Sequence, residues 1–227
     1  MIAMATDHEI LNQCRYGPVS QVRALLFKNP QVDGVVIEHA LAEEFNKPAA
    51  EKDFLQGLAK ALIALLPSTY TLMKNLLSAK APGRVFEVHF SIFGALSRSD
   101  FNGLEQEGLE YMLGQYLFDA TSTAAYAAWK AGLVLAEDWL SPRSERLLIK
   151  LMAQAKYPAG RLGAINGYRF IVEHRRTFTE EEIRPMRITA RKDKSEKVRE
   201  QAQFHLDRFT GMRERELNDH HQSSWNV

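Results

Sequence analysis

Three arginines, Arg84, Arg161 and Arg199, each open an apolar segment of helical period, and they stand 77 and 38 residues apart. The first interval is about twice the second, so a further unit is expected to begin near Ser122–Thr123. There Thr121-Ser-Thr-Ala-Ala-Tyr-Ala-Ala-Trp starts a long apolar run. A single helix pair leaves an apolar side uncovered, so units that recur at this interval must cover one another by stacking. The recurrence therefore predicts an all-α chain, an α-solenoid of antiparallel helix pairs with about ten to twelve helices.

Local signals agree with that class. Apolar residues recur at three and four positions, seldom at two, and no segment reads as a strand. Thr6 with Glu9, Thr179 with Glu182, and Asp193 with Glu196 have the spacing of capping boxes. Ser141-Pro142 is a cap followed by the helical position where proline costs nothing, and Asn46 before Lys47-Pro48 looks similar. The predicted helices cover roughly 7–15, 18–28, 33–46, 48–66, 68–80, 83–98, 100–118, 122–138, 142–156, 160–175, 179–192 and 195–210. Connections are short and carry Pro or Gly, as in Lys80-Ala-Pro-Gly, Leu140-Ser-Pro and Tyr157-Pro-Ala-Gly. Short connections force antiparallel neighbours. No Ser/Gly-rich linker interrupts the chain, so residues 1–210 are expected to form one helical-repeat domain, most regular over 83–210, with 211–227 a polar, frayed tail.

The segment starting at Asp193 carries Val198-Arg199 and then Ala202 and Leu206 on one side. In that order it resembles the first helix of a HEAT repeat. Gly160-Arg-Leu-Gly-Ala-Ile-Asn-Gly-Tyr is similar, with Arg161, Ala164 and Tyr168 in register, and Ala125, Ala128 and Ala131 suit the same close packing. The stretch from Cys14 to Asp33 resembles a degenerate ankyrin unit, in which Gly17 turns the chain and Val22, Leu25 and Leu26 face inward. Both resemblances imply a scaffold that binds other macromolecules through a long concave face.

Gly160, Gly163 and Gly167 lie three and four apart and so share one flank of a helix. Glycine inside a helix costs about 1 kcal/mol relative to alanine, and a neighbouring backbone brought close along that flank is the expected compensation. A phosphate-cradling loop is excluded, because it needs a preceding strand and a following Lys-Ser/Thr.

The single cysteine, Cys14, excludes an intrachain disulfide and fits a reducing compartment. Its helical spacing from Ile10 marks it as a buried small side chain rather than a nucleophile. No basic, apolar leader opens the sequence, and the most apolar run, Ala124 to Leu140, is broken by Lys130, Glu137 and Asp138. A cytoplasmic location without a membrane partner is therefore expected. Net charge is only +1, yet residues 1–140 carry 11 Lys and Arg against 16 Asp and Glu, whereas residues 141–227 carry 18 against 12. The second half is the basic one.

No His-Glu-x-x-His, paired-cysteine zinc spacing, Gly-x-Ser-x-Gly or dinucleotide fingerprint occurs. No catalytic residue, metal or cofactor is expected. His39 with Glu43, and the pair His220-His221, supply too few ligands for a metal site. His89, inside Val85-Phe-Glu-Val-His-Phe, reads as a satisfied core histidine. One enzymatic alternative is a HEAT-like DNA glycosylase, for which Asp138, Trp139 and Trp129 offer the residue types and the basic half a phosphate contact. Against it, tryptophans on apolar helices ordinarily fill the core.

When helix pairs stack, the second helices line the concave side. In 142–156, Leu147, Leu148, Leu151 and Met152 form an inner stripe, leaving Arg143, Arg146, Lys150 and Gln154 outward. Arg184, Arg187 and Arg191 repeat the arrangement in 179–192, and Glu105, Tyr111 and Gln115 continue it in 100–118. The expected partner-binding set is Tyr111, Gln115, Arg143, Arg146, Lys150, Arg184, Arg187 and Arg191, a ladder of cations for carboxylates or phosphates with an aromatic flank. Plain solvated helix faces are the alternative. The function expected is a non-enzymatic module that binds a protein partner, for example an inhibitor such as a toxin-neutralising immunity protein. A nucleic-acid-binding HEAT-like protein is the runner-up, and oligomeric state stays open.

Overall fold

Capping chemistry decides where several helices begin. Thr6 accepts the Glu9 N–H at 3.3 Å while the Glu9 carboxylate accepts the Thr6 N–H at 2.7 Å. Thr179 and Glu182 repeat the exchange at 3.3 and 2.6 Å. Ser141 accepts the Ser144 N–H at 3.0 Å and Ser144 Oγ accepts the Ser141 N–H at 2.9 Å, with Pro142 in the first turn. Each device satisfies amide groups that the first helical turn leaves free. The computed structural model describes residues 5–47, 51–77, 85–96, 103–137, 141–175 and 178–223. Its helices are α1 (Asp7–Gln13), α2 (Val19–Lys28), α3 (Gly34–Asn46), α4 (Lys52–Ala64), α5 (Tyr70–Leu76), α6 (Val85–Leu96), α7 (Gly103–Asp119), α8 (Ala125–Glu137), α9 (Pro142–Gln154), α10 (Pro158–His174), α11 (Glu180–Lys192) and α12 (Glu196–Ser223), with a 3-10 turn at Ser122–Ala124. The described residues are all-helical and contain no strand.

Two local expectations change. Asn46 is the last residue of α3 rather than a cap, and α4 begins at Lys52. Asp193 forms no capping box with Glu196, because its carboxylate accepts the Ser195 N–H at 2.8 Å and the Arg161 guanidinium at 2.7 and 3.0 Å. The tertiary partner is a charge-assisted, two-point one, stronger than the local alternative. α12 runs on to Ser223. Arg84 and the Lys80–Gly83 connection lie outside the described residues.

Alternate helices are neighbours. α4 packs against α1, α2 and α3 and then against α6, and the contacts continue from α6 to α8, α8 to α10 and α10 to α12. A second series runs from α7 to α9 to α11, and the two series meet through α7 with α8 and α10, α9 with α8 and α10, and α11 with α12. Buried apolar side chains from Ile10 to Phe209 form one cluster. Arg161, at the start of α10, also donates to the Ala155 carbonyl at 2.8 Å, so one guanidinium ties the loops before α10 and α12 together.

α10 meets the backbones of both α8 and α7 at its glycines. A Cβ on Gly163 would lie 2.5 Å from the Ala128 carbonyl oxygen, and one on Gly167 2.3 Å from that of Gly132. On Gly160 it would lie 1.8 Å from the Leu117 carbonyl oxygen of α7. The shared glycine flank therefore meets backbone on two helices. Ala128 and Ala131 are buried in the same contact, whereas Ala125 faces solvent. Gly17, at φ +75°, turns the chain between α1 and α2, and Val22 and Leu26 face inward with Leu25 half-buried.

Cys14 is fully buried and its S–H donates to the Ile10 carbonyl at 3.3 Å. Burial pushes its thiol up to about 11. We expect no labelling by a thiol reagent at about pH 8 in the folded protein and one equivalent in denaturant. Native labelling at the rate of a free thiol would contradict this. No helix among the described residues is long and apolar enough to cross a membrane.

Candidate functional site

Two surfaces stand out, one on the α7–α9–α11 series and one on the α4–α6–α8 series. The first carries the residues expected from sequence. Each helix there buries one apolar stripe, for example Leu148, Leu151 and Met152 of α9, with Leu147 partly buried beside them. The opposite flank is left to solvent. Tyr111 and Gln115 of α7, Arg143, Arg146 and Lys150 of α9, and Arg184 and Arg191 of α11 are exposed, with Arg187 half-buried. Contacts between α7 and α9 and between α9 and α11 bring these three helices into one row. Side chains at position 105 lie outside the described residues.

The ladder of cations is thinner than the sequence suggests. Arg143 pairs with Glu107 at 2.9 Å and with the nearly buried Glu110 at 3.5 Å, which makes it a strut between α9 and α7. Arg187 pairs with Glu180 at 2.8 Å. Arg146, Lys150, Arg184 and Arg191 have no ion-pair partner among the described residues. Further back, Arg175 joins Glu145 of α9 to Glu182 of α11 at 2.7 and 2.5 Å, holding the row in register.

The second surface was not anticipated. A groove of about 660 Å³ opens between α4, α6 and α8, lined among others by Lys52, Asp53, Phe90, Tyr126 and Lys130. Phe90 and Tyr126 stack with ring centroids 4.8 Å apart and planes 18° apart. Tyr126 and Trp129 continue the series at 6.0 Å and 4°. Tyr126 is 67% exposed and Trp129 41%, against the expectation that Trp129 fills core. The reason is the small-residue face of α8. Ala127, Ala128, Ala131 and Gly132 face the neighbouring helices, and the tight approach of α10 leaves no room there for a ring. The aromatic side chains therefore point away. Sequence offered one usable signal, the i, i+3 spacing of Tyr126 and Trp129 opposite a run of alanines.

Other polar groups look structural. His89 is fully enclosed: its Nε2–H donates to the Leu76 carbonyl, and its Nδ1 accepts from the Tyr116 hydroxyl at 3.1 Å. Burial takes the imidazole down to about 4. Glu173 holds Arg169 at 2.5 Å and Arg208 at 3.1 Å between α10 and α12. Among the described residues no group of three or more His, Cys, Asp or Glu is placed to hold a metal ion. Asp138 and Trp139 lie outside the described residues, as do the side chains of His220 and His221.

Comparison of the chain with protein-family models, with curated proteins and with solved structures finds no match. Function must therefore be argued from these two surfaces.

Proposed function

We propose that the protein is a non-enzymatic binding module, an α-solenoid in which α7, α9 and α11 present one basic face to an acidic protein partner. The observation that supports this reading is the order of contacts, α7 to α9 to α11, together with the exposure of Tyr111, Arg146, Lys150, Arg184 and Arg191 on those three helices. The parallel series α4–α6–α8–α10–α12 supports the solenoid, because stacked helix pairs place each helix beside the one two places on. Arginine and tyrosine are the side chains that most often anchor protein interfaces. An inhibitor that neutralises a toxin, as an immunity protein does, is the specific form that we favour.

The test is capture of a partner from the native host by the wild type and by Arg146→Glu/Arg184→Glu. These two cations make no ion pair among the described residues, so reversing them disturbs no strut. Capture is expected to fall at least about tenfold, since like charges facing one another cost interfaces several kcal/mol, while helical content by circular dichroism stays native. Unchanged capture would remove this face from the account. The runner-up, recognition of nucleic acid by the basic half, predicts binding that weakens steeply with salt. A partner retained in high salt would count against it.

A further inference from the structure

The α4–α6–α8 groove plays no part in the partner face just proposed, yet it has the makings of a ligand site. Exposed aromatic rings in parallel register are costly to leave in water, because each large ring gives up roughly 1.5–3 kcal/mol of burial. Here the central ring of a three-ring series, Tyr126, is two-thirds open and Trp129 is nearly half open. Lone exposed apolar residues need no explanation, whereas a contiguous apolar strip beside a cleft points to something that covers it.

The charges around the strip narrow the chemistry. Its carboxylate, Asp53, is held by Arg15 at 3.2 Å. Lys52 on α4 and Lys130 on α8 make no ion pair among the described residues, so the groove is left with two free cations, one contributed by each flanking helix. A sugar would ask for free carboxylates and amides over the rings, and an aliphatic chain would have no use for the lysines. A flat ring system that carries negative charge matches both features. The volume of about 660 Å³ suits a ligand of a few tens of atoms.

We propose that this groove binds a nucleotide, with the base packed against the exposed sides of Phe90 and Tyr126, the two rings that line the cleft, and the phosphate set between Lys52 and Lys130. Gln56 and Ser91, which line the same cleft, supply hydrogen-bonding groups for the base edge or the sugar. Aromatic stacking and lysine–phosphate attraction then each carry part of the affinity, and neither suffices alone. The ligand is either free in solution or one residue of a single strand; the chemistry recognised is the same.

The test is calorimetric titration of the full chain with adenosine 5′-monophosphate, adenosine, inorganic phosphate and a six-nucleotide single-stranded oligoadenylate. The monophosphate is expected to bind saturably, and adenosine or phosphate at least about tenfold more weakly. Tyr126→Ala and Lys130→Ala should each weaken binding by roughly tenfold, whereas Tyr126→Phe, which keeps the ring, should restore it. Thermal melts of each variant separate lost binding from lost folding. If the oligonucleotide binds more than about tenfold tighter than the monophosphate with the same dependence on Tyr126, the source is a strand. Absence of saturable binding by both would overturn the proposal, as would binding that ignores Tyr126→Ala. Equal competition by a polyglutamate peptide would also overturn it, by reducing the site to a patch of positive charge. Arg146→Glu/Arg184→Glu should leave nucleotide binding unchanged, so the groove and the partner face can fail separately.

Discussion

Gly132→Ala is expected to be among the most damaging single-atom additions this protein can receive. A Cβ there would sit 2.0 Å from the Gly163 carbonyl oxygen and 2.8 Å from its carbon. Both are backbone atoms of a helix that is itself pinned by Gly167 against the Gly132 carbonyl, so no side chain can swing aside. α8 and α10 must separate, and the separation opens the cluster in which Ala128, Ala131, Ala164 and Ile165 are fully buried. Overpacking of a tight core costs about 1–3 kcal/mol, more when backbone has to move. We therefore expect a loss of roughly 3 kcal/mol or more, which at this chain length lowers the melting midpoint by about 6–12 °C. Gly94→Ala is the matching control. Nothing lies within 4 Å of a Cβ at that helical position, so a gain of about 0.5–1 kcal/mol is expected from helix propensity and a stiffer unfolded chain. Calorimetry of the two variants checks both signs. A Gly132→Ala protein that melts within a degree of wild type would mean that α8 and α10 are not in backbone contact.

Acidification should be nearly as costly. His89 is held neutral by burial, its imidazole lowered to about 4 from the ordinary 6.5. Between those values the unfolded chain takes up a proton that the folded protein refuses, so unfolding gains free energy as the pH falls. The stability tied to the neutral ring is present above about pH 6.5 and is lost progressively down to about pH 4, some 3 kcal/mol for His89 across the whole window. His205 works in the same direction, lowered to about 4 by burial first and by the Arg169 and Arg208 guanidiniums second. The Arg208 part of that effect is the one weakened by solvent, because its side chain is half exposed. Urea midpoints measured at about pH 7 and pH 4.5 for wild type and His89→Gln provide the check. The variant should start lower at neutral pH, since it loses a ring that bonds both Leu76 and Tyr116, but should fall less on acidification. An equal fall in both proteins would remove His89 from the acid response.

Much of the helical layout was legible because it is governed by neighbours along the chain. Thr6 and Glu9, Thr179 and Glu182, and Ser141 with Pro142 cap helices through contacts spanning three residues. The glycines at 160, 163 and 167 announced a close partner because three such costs on one flank of a helix need something to offset them. His89 read as core from its apolar surroundings and is fully buried.

What misled came from groups distant in sequence. Asp193 looked like a cap until Arg161, 32 residues earlier, claimed its carboxylate. Arg143 looked free until Glu107 and Glu110 were found beside it. Gly132 stood alone among alanines and gave no spacing to read, although it meets the backbone of α10 as closely as Gly163 and Gly167 meet that of α8.

By itself, then, the amino-acid order determined that the described chain would be helical and where most of its helices would start, since hydrogen bonds and apolar periodicity within a few residues settle both. Which flank of α8 turns inward was decided only by tertiary packing. α8 has small residues on one side and rings on the other, and nothing local ranks the two. The choice fell to the nearest backbone: α10 can approach glycine and alanine but not tyrosine or tryptophan, so both rings were left exposed and Tyr126 lines the groove.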